Sequence, residues 1–421
     1  MTIGLRPPRL ARSILLMADS AVDFRRSLAT LLGFCRRESW RGYDPYDGLS
    51  SPLSRILPKG KFFRTALTQL VKRSALNLRP LLGIRKDFNS KGVALAGRAI
   101  TMLAARDNVA LPEALSMGGD GGDELRGDFR LLFGTLLSLK SPGFDRWCWG
   151  YNFDWQSRAF FAPRLTPNVV CTVFAAQAML DWHEATGSSQ ALEIAESSCR
   201  FLLEEINRTS DGESFCFSYT PIDRSVVHNV NMLAAELLAR LYSKTGEAQI
   251  CQAARSAISY TLKRQRPDGS WPYGERANQQ WIDSFHTGFI LVSLKRAAAD
   301  LGCAEWHDAL SRGYDFYRDR FFLADATPRY YHDSLYPIDV HSAAQAVITF
   351  SEMTDLMSNA KVLAGRAVEW AIRNLQDPAG YFYFQRNRLL TIKIPYMRWG
   401  QAWMLYALSL YLTRSMEGED V

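Results

Sequence analysis

The sequence predicts an all-α fold, an (α/α)6 toroid or six-hairpin barrel, with an N-terminal helical extension. Three observations predict it. Acidic, aromatic turns recur at a fixed interval: DGESFCFSY starts at Asp211, DGSWPYGE at Asp268, and FLADATPRYYHD carries Asp325, each aspartate 57 residues after the last. A looser DPAGYFYFQ follows at 377–385, and DRWCWGYNFDW at 145–155 reads as a divergent earlier copy. Helical segments flank the turns and alternate in character. Those after a turn are apolar on nearly every face and those before it carry a polar stripe, which predicts buried inner helices sheathed by amphipathic outer ones.

Taken in chain order, MTIGLRPPRLARSILLMADSAVDF is broken by Asp19 and Asp23, so it leads into a helix rather than forming a secretory signal. Residues 13–37 and 61–77 are helical in pattern and are expected to close or buttress the ring. The repeat takes over with SKGVALAGRAITMLAARD (90–107) and LRGDFRLLFGTLLSLK (125–140), which together supply a sixth unit. GGDGG at 118–122 lacks the preceding strand and the GK[ST] ending of a phosphate loop and reads as a flexible connection. The inner segments are 168–187, 228–247, 283–302, 339–355 and 398–412, and several end in TG or LG, a helix stop. The outer segments are 191–207, 250–265, 304–321 and 359–376. The expected division is a 1–85 N-terminal helical extension, an 86–415 toroid catalytic domain and a 416–421 tail.

Composition narrows the partners. With 421 residues, 47% hydrophobic and 22% charged, the chain can bury a large core. Its net charge of +7 suits an anionic partner such as an acidic glycan or a phosphorylated sugar. No nucleic-acid motif accompanies that charge, which excludes a nucleic-acid binder. No apolar run approaches the roughly 20 residues of a membrane span. The seven cysteines are scattered and never spaced CxxC, which argues against a disulfide framework and a zinc site and points to the cytoplasm. Neither HExxH nor HxH occurs, so no metal and no cofactor is expected.

In a closed ring the starts of the inner helices converge on a central funnel, and chemistry is expected there. Four of the six histidines fall at such places. Asp283 and Asp339, 56 apart at matching positions, are the expected acid and base of glycoside hydrolysis, with His286 and His341 beside them. Uronate lyase or epimerase chemistry would instead draw on His286, His341, Tyr331, Arg398 and Asn229. Substrate binding is expected from Trp149, Tyr151, Asp154, Trp155, His228, Asn229, Trp271, Tyr273, Glu275, Tyr331, Arg398 and Trp399, because aromatic faces stack on sugar rings and polar groups bond their hydroxyls. A non-catalytic glycan-binding toroid would use the same aromatics.

WRGYDPYDGLSSPL (40–53) stands outside the repeat. With WCWGYNFDWQSR and PYMRWGQAWMLYAL it resembles a family of bacterial polysaccharide-biosynthesis proteins (VpsJ-type), over about residues 38–412. The resemblance implies a six-hairpin, glycosidase-like toroid in an exopolysaccharide context. The loop itself reads either as an Asp-Pro turn that caps a helix or as an aromatic-acid loop across the funnel mouth, with Asp44 and Asp47 as substrate contacts. DGSW also occurs in terpene cyclases of toroid form, but their DxDD acid motif is absent here.

Overall fold

The structure, a computed structural model, describes residues 24–416 except 57, 59, 116–122 and 159. Residues 13–23 of the first expected helix, the GGDGG stretch and 417–421 of the tail lie outside the described residues. In chain order the helices are α1 (residues 24–37), α2 (Lys61–Arg73), α3 (Ser90–Arg106), α4 (Glu124–Ser138), α5 (Val169–Thr186), α6 (Ser189–Glu204), α7 (His228–Thr245), α8 (Ala248–Leu262), α9 (Ser284–Leu301), α10 (His307–Arg320), α11 (Val340–Glu352), α12 (Ala360–Leu375) and α13 (Ala402–Met416).

Six of these form the inner ring. Helices α3, α5, α7, α9, α11 and α13 each touch the next, and α13 returns to α3, so the ring closes. Helices α4, α6, α8, α10 and α12 pack outside, each on the inner helix that precedes it. The sixth outer place is filled from the other end of the chain. Phe24 of α1 meets Tyr411 of α13 edge to face at 5.2 Å. On one flank Ser27 Oγ donates to Gln376 Oε1 (2.6 Å), and on the other Arg36 pairs with Asp128 of α4 (2.7 Å). Residues 24–37, set with the extension in the sequence reading, are therefore the outer helix that locks the ring shut.

The repeat has a local cause. Asp211, Asp268 and Asp325 each accept a backbone N–H two or three residues on, from Ser214, Ser270 and Thr327. These Asx turns reverse the chain between an outer and an inner helix. Asn89, Asn168, Asp283 and Asp339 then cap α3, α5, α9 and α11 by accepting a first-turn N–H. Helices α5, α7 and α9 end at Gly187, Gly246 and Gly302 in the left-handed region, the TG and LG stops. The longer turns fold back as small antiparallel ladders, such as Arg208–Ser210 with Phe215–Phe217, an addition to the all-α reading.

Candidate functional site

The inner helices all start on one face, and their first turns and lead-in loops enclose a cavity of about 670 Å³. Its charged lining is basic: Lys61, Lys72, Arg73, Lys91, Arg158 and Arg398, with His286 and His341. Among the described residues no Asp or Glu side chain lines it.

His286 presents a half-buried imidazole on this wall. Asp283 caps α9 with one oxygen, accepting the His286 N–H at 3.0 Å, and turns the other to His286 Nδ1 at 2.7 Å. Trp281 Nε1 donates to that second oxygen at 2.9 Å. A carboxylate can only accept, so Nδ1 is the donor, and in the neutral ring this leaves Nε2 as the acceptor facing away from Asp283. Asp283 itself is buried behind the ring, which keeps 21% of its side chain exposed.

Below lies an aromatic floor. His341 stacks on Phe285 at 4.6 Å and lies 4.6 Å from Trp403 and 4.8 Å from Trp399. Neither of its ring nitrogens has a hydrogen-bond partner within the protein. Burial first, then the charges of Lys91 and Arg398, holds it neutral, well below the usual histidine range. Beside it the Lys91 ammonium sits over Phe174 and Trp403 at 4.8 Å each and Phe289 at 5.5 Å. Burial first, then the Arg398 charge, brings Lys91 down to about 7.

Arg398 and Trp399 reach the cavity from a π-helical turn, Met397–Gln401, that precedes α13. Asp44 of the YDPYDGL loop grips Arg398 with both oxygens, at 2.5 and 2.8 Å, and holds it cationic against burial. Asp47 in turn holds buried Arg79 at 2.7 Å and is itself pushed by burial up to about 6. The loop is seated by Gly42, where a Cβ would fall 2.4 Å from the Met397 Cβ. Asp44 and Asp47 thus line a neighbouring cleft of about 310 Å³, and Asp44 reaches the main cavity through Arg398. The aromatic wall joins Tyr151, Trp155, Tyr219, Tyr273, Tyr330 and Tyr331. Tyr273 stacks on Trp281 at 4.5 Å and abuts His286 at 4.6 Å. Burial raises the phenols of Tyr219, Tyr273 and Tyr330, so they stay hydroxyl donors.

Of the residues singled out in the sequence, the cavity takes in Tyr151, Trp155, Asn229, Tyr273, His286, Tyr331, His341, Arg398 and Trp399. The others lie elsewhere. Asp339 is fully buried, accepting from His341 N, Trp399 Nε1 and Gln385 Nε2. Trp149 and Trp271 are buried wedges whose indoles donate to Leu136 O and Thr261 O, near the ends of α4 and α8. Glu275 is engaged by Tyr260 and Arg264, Asp154 caps the turn at Arg164, and His228 is buried at the start of α7, where burial lowers it to about 4. Lys91, Lys72, Tyr46 and Trp281 were missed. Lys91 stands in the first turn of an inner helix, the place that marks the others, but no Asp-Gly turn announces α3.

No family model and no curated protein matches the chain. Solved structures do. The chain is similar to cellobiose 2-epimerase from Bacillus thermoamylovorans B4167 (TM-score 0.59, 9% identity, over 78% of this chain and 88% of that one). It is similar to a GH76 alpha-mannanase from Bacteroides thetaiotaomicron (TM-score 0.57, 12% identity, 80% and 89%). An unsaturated glucuronyl hydrolase specific for heparin gives a TM-score of 0.55 at 11% identity, over 79% of this chain and 87% of that one. At these identities the likeness concerns the backbone, and it establishes that this chain has the (α/α)6 toroid fold those sugar-processing enzymes share.

Proposed function

We propose that the protein is a sugar-active enzyme that moves a proton on an anionic sugar or glycan, by lyase or epimerase chemistry, with His286 Nε2 as base. The observation that carries this is the cavity lining: a carboxylate-backed histidine reaches the space, and among the described residues no Asp or Glu side chain does. Glycoside hydrolysis needs two carboxyl groups flanking the scissile bond. Asp283 and Asp339, the expected pair, are both engaged as helix caps behind the wall. Abstraction of a proton next to a carboxylate needs a base and cations to offset the developing charge. His286 supplies the first, and Arg398 with Lys91 the second. The tyrosine hydroxyls suit reprotonation and sugar recognition. A role in surface polysaccharide metabolism is part of the proposal and is supported by the resemblance carried by YDPYDGL.

The test is incubation with acidic oligosaccharides, oligouronides first, in deuterated water. Deuterium at carbon, or the absorbance of an unsaturated uronate, is expected. His286→Gln should lower the rate by about 10³-fold or more, the upper part of the range for a general base. Cleavage that adds only water across the glycosidic bond, or full activity in His286→Gln, would overturn the reading. Binding without any mass change would instead leave a glycan-binding toroid.

A further inference from the structure

The funnel mouth is bordered by a segment whose surface chemistry differs from the rest of the molecule. From Gly48 to Lys86 the sequence holds nine Lys and Arg and no Asp or Glu. Since the chain nets +7, everything outside this segment nets −2. The same segment is apolar where it meets solvent. Leu53, Ile56, Phe62, Phe63, Leu70, Leu76 and Leu81 are exposed, half of the exposed large hydrophobic residues among the described ones.

Helix α2 at the centre of this segment has three faces. Thr68 and Val71 are buried, and Lys61, Thr65, Gln69 and Lys72 line the cavity. Phe62, Phe63, Ala66 and Leu70 point to solvent and fall within one stripe at helical periodicity. Ser51 Oγ donates to the Leu82 carbonyl at 2.7 Å, which ties together the turns that carry Leu53 and Leu81. Lys61, Arg73 and Arg85 are exposed alongside.

We propose that this collar docks on an anionic lipid bilayer, the outer stripe of α2 lying in the interface and the funnel mouth beside the membrane. Apolar side chains on an amphipathic element bury at the headgroup boundary, and each nearby cation adds roughly fivefold in affinity for acidic lipid. A protein partner or a second copy would cover the apolar stripe, but neither calls for the exclusion of every acidic residue over 39 positions. Substrate passing Lys61 and Gln69 then comes from the bilayer side, which fits a glycan anchored in lipid. That consequence rests on the proposed sugar site, whereas the docking does not.

The experiment is flotation of the full chain with two kinds of vesicle, phosphatidylcholine alone and equal parts phosphatidylcholine and phosphatidylglycerol. About tenfold or greater enrichment on the anionic vesicles is expected, weakening as salt rises. The variant Phe62→Ser with Leu70→Ser alters two exposed side chains off the cavity and should cut binding about tenfold at an unchanged melting temperature. Equal recovery on both vesicles, full binding by the variant, or a solution dimer that the variant dissociates would overturn the proposal. Vesicle binding is read without turnover, so it stands or falls apart from the proton-transfer reading.

Discussion

Asp283 and Asp339 hold matching places at the starts of α9 and α11, and the first oxygen of each does the same work, accepting a first-turn N–H. Their second oxygens differ. That of Asp283 orients a ring that reaches the cavity, and that of Asp339 is taken by Gln385. Asp283→Asn keeps a cap but turns the tautomer of His286, and kcat should fall by about 10² to 10⁴-fold, as when a triad carboxylate becomes an amide. Asp339→Asn should leave kcat near wild type, because Asn accepts the same two N–H groups and Gln385 can rotate its amide. Steady-state rates of both variants check this. In sequence a capping and an orienting carboxylate look alike, so the spacing that found both could not rank them. Lys91 offers a pH readout. It is cationic below about 7 and neutral above, so affinity for an anionic sugar should weaken as pH rises through 7. Lys91→Met should flatten that profile, read by calorimetric titration. Stability moves the other way: the unfolded lysine keeps its proton up to about 10.4, so the fold is penalised from below pH 7 and recovers between 7 and 10.4.

The turns that made the fold legible are Asp-initiated loops with one residue of positive φ. Gly212, Gly269 and Gly380 occupy that position at φ 97°, 87° and 100°. In the copy at 325 the sequence keeps the aspartate and loses the glycine, and the structure shows Ala326 held at φ 70°. An L-residue in that region costs about 1–2 kcal/mol, part of which glycine's extra freedom in the unfolded chain returns. Ala326→Gly should therefore stabilise the protein by about 0.5–1 kcal/mol, visible as a higher urea midpoint at constant slope. Gly269→Ala should do the reverse and more strongly, by about 3 kcal/mol, since its Cβ would also fall 2.3 Å from the Arg312 carbonyl on α10. Periodic turn chemistry of this kind is local, which is why the sequence reveals it. The partner of each helix is not local: nothing in the pattern of residues 24–37 says that they pack on a helix almost four hundred positions away.

At the scale of the whole ring, the inner helices are joined twice, by the aromatic floor under the cavity and by a ring of buried charge beneath it. Arg98 of α3 pairs with Asp181 of α5 (2.6 Å), which also pairs with Arg240 of α7 (2.6 Å). Glu236 of α7 pairs with Arg296 of α9 (2.9 Å), and Arg296 reaches Glu352 of α11 (2.6 Å) and the Tyr406 hydroxyl of α13 (3.1 Å). Arg98 stacks over Tyr406 at 5.0 Å, so the circuit returns to α3. Sequence periodicity marks these positions only as polar residues on otherwise buried helices, because their partners lie at least 56 residues away along the chain. Arg296 of α9 joins α7, α11 and α13 through Glu236, Glu352 and Tyr406. Burial works against ionised Glu352, and Arg296, Arg414 and Lys295 together hold it down at about 2. Its folded value lies below its unfolded one, so this contribution is present above pH 4.5 and is lost as pH falls toward 2. Arg296→Met strands Glu236 and Glu352 without their main counter-charge and should cost about 3–5 kcal/mol at neutral pH. The deficit should shrink as pH falls from about 4.5, because the variant's carboxylates protonate without loss. Adding Glu236→Gln and Glu352→Gln to Arg296→Met should restore most of the stability, since a neutral buried cluster carries no unpaired charge. Urea unfolding of the three proteins across that pH range measures it, and equal destabilisation at every pH would show that Arg296 serves the ring by packing alone.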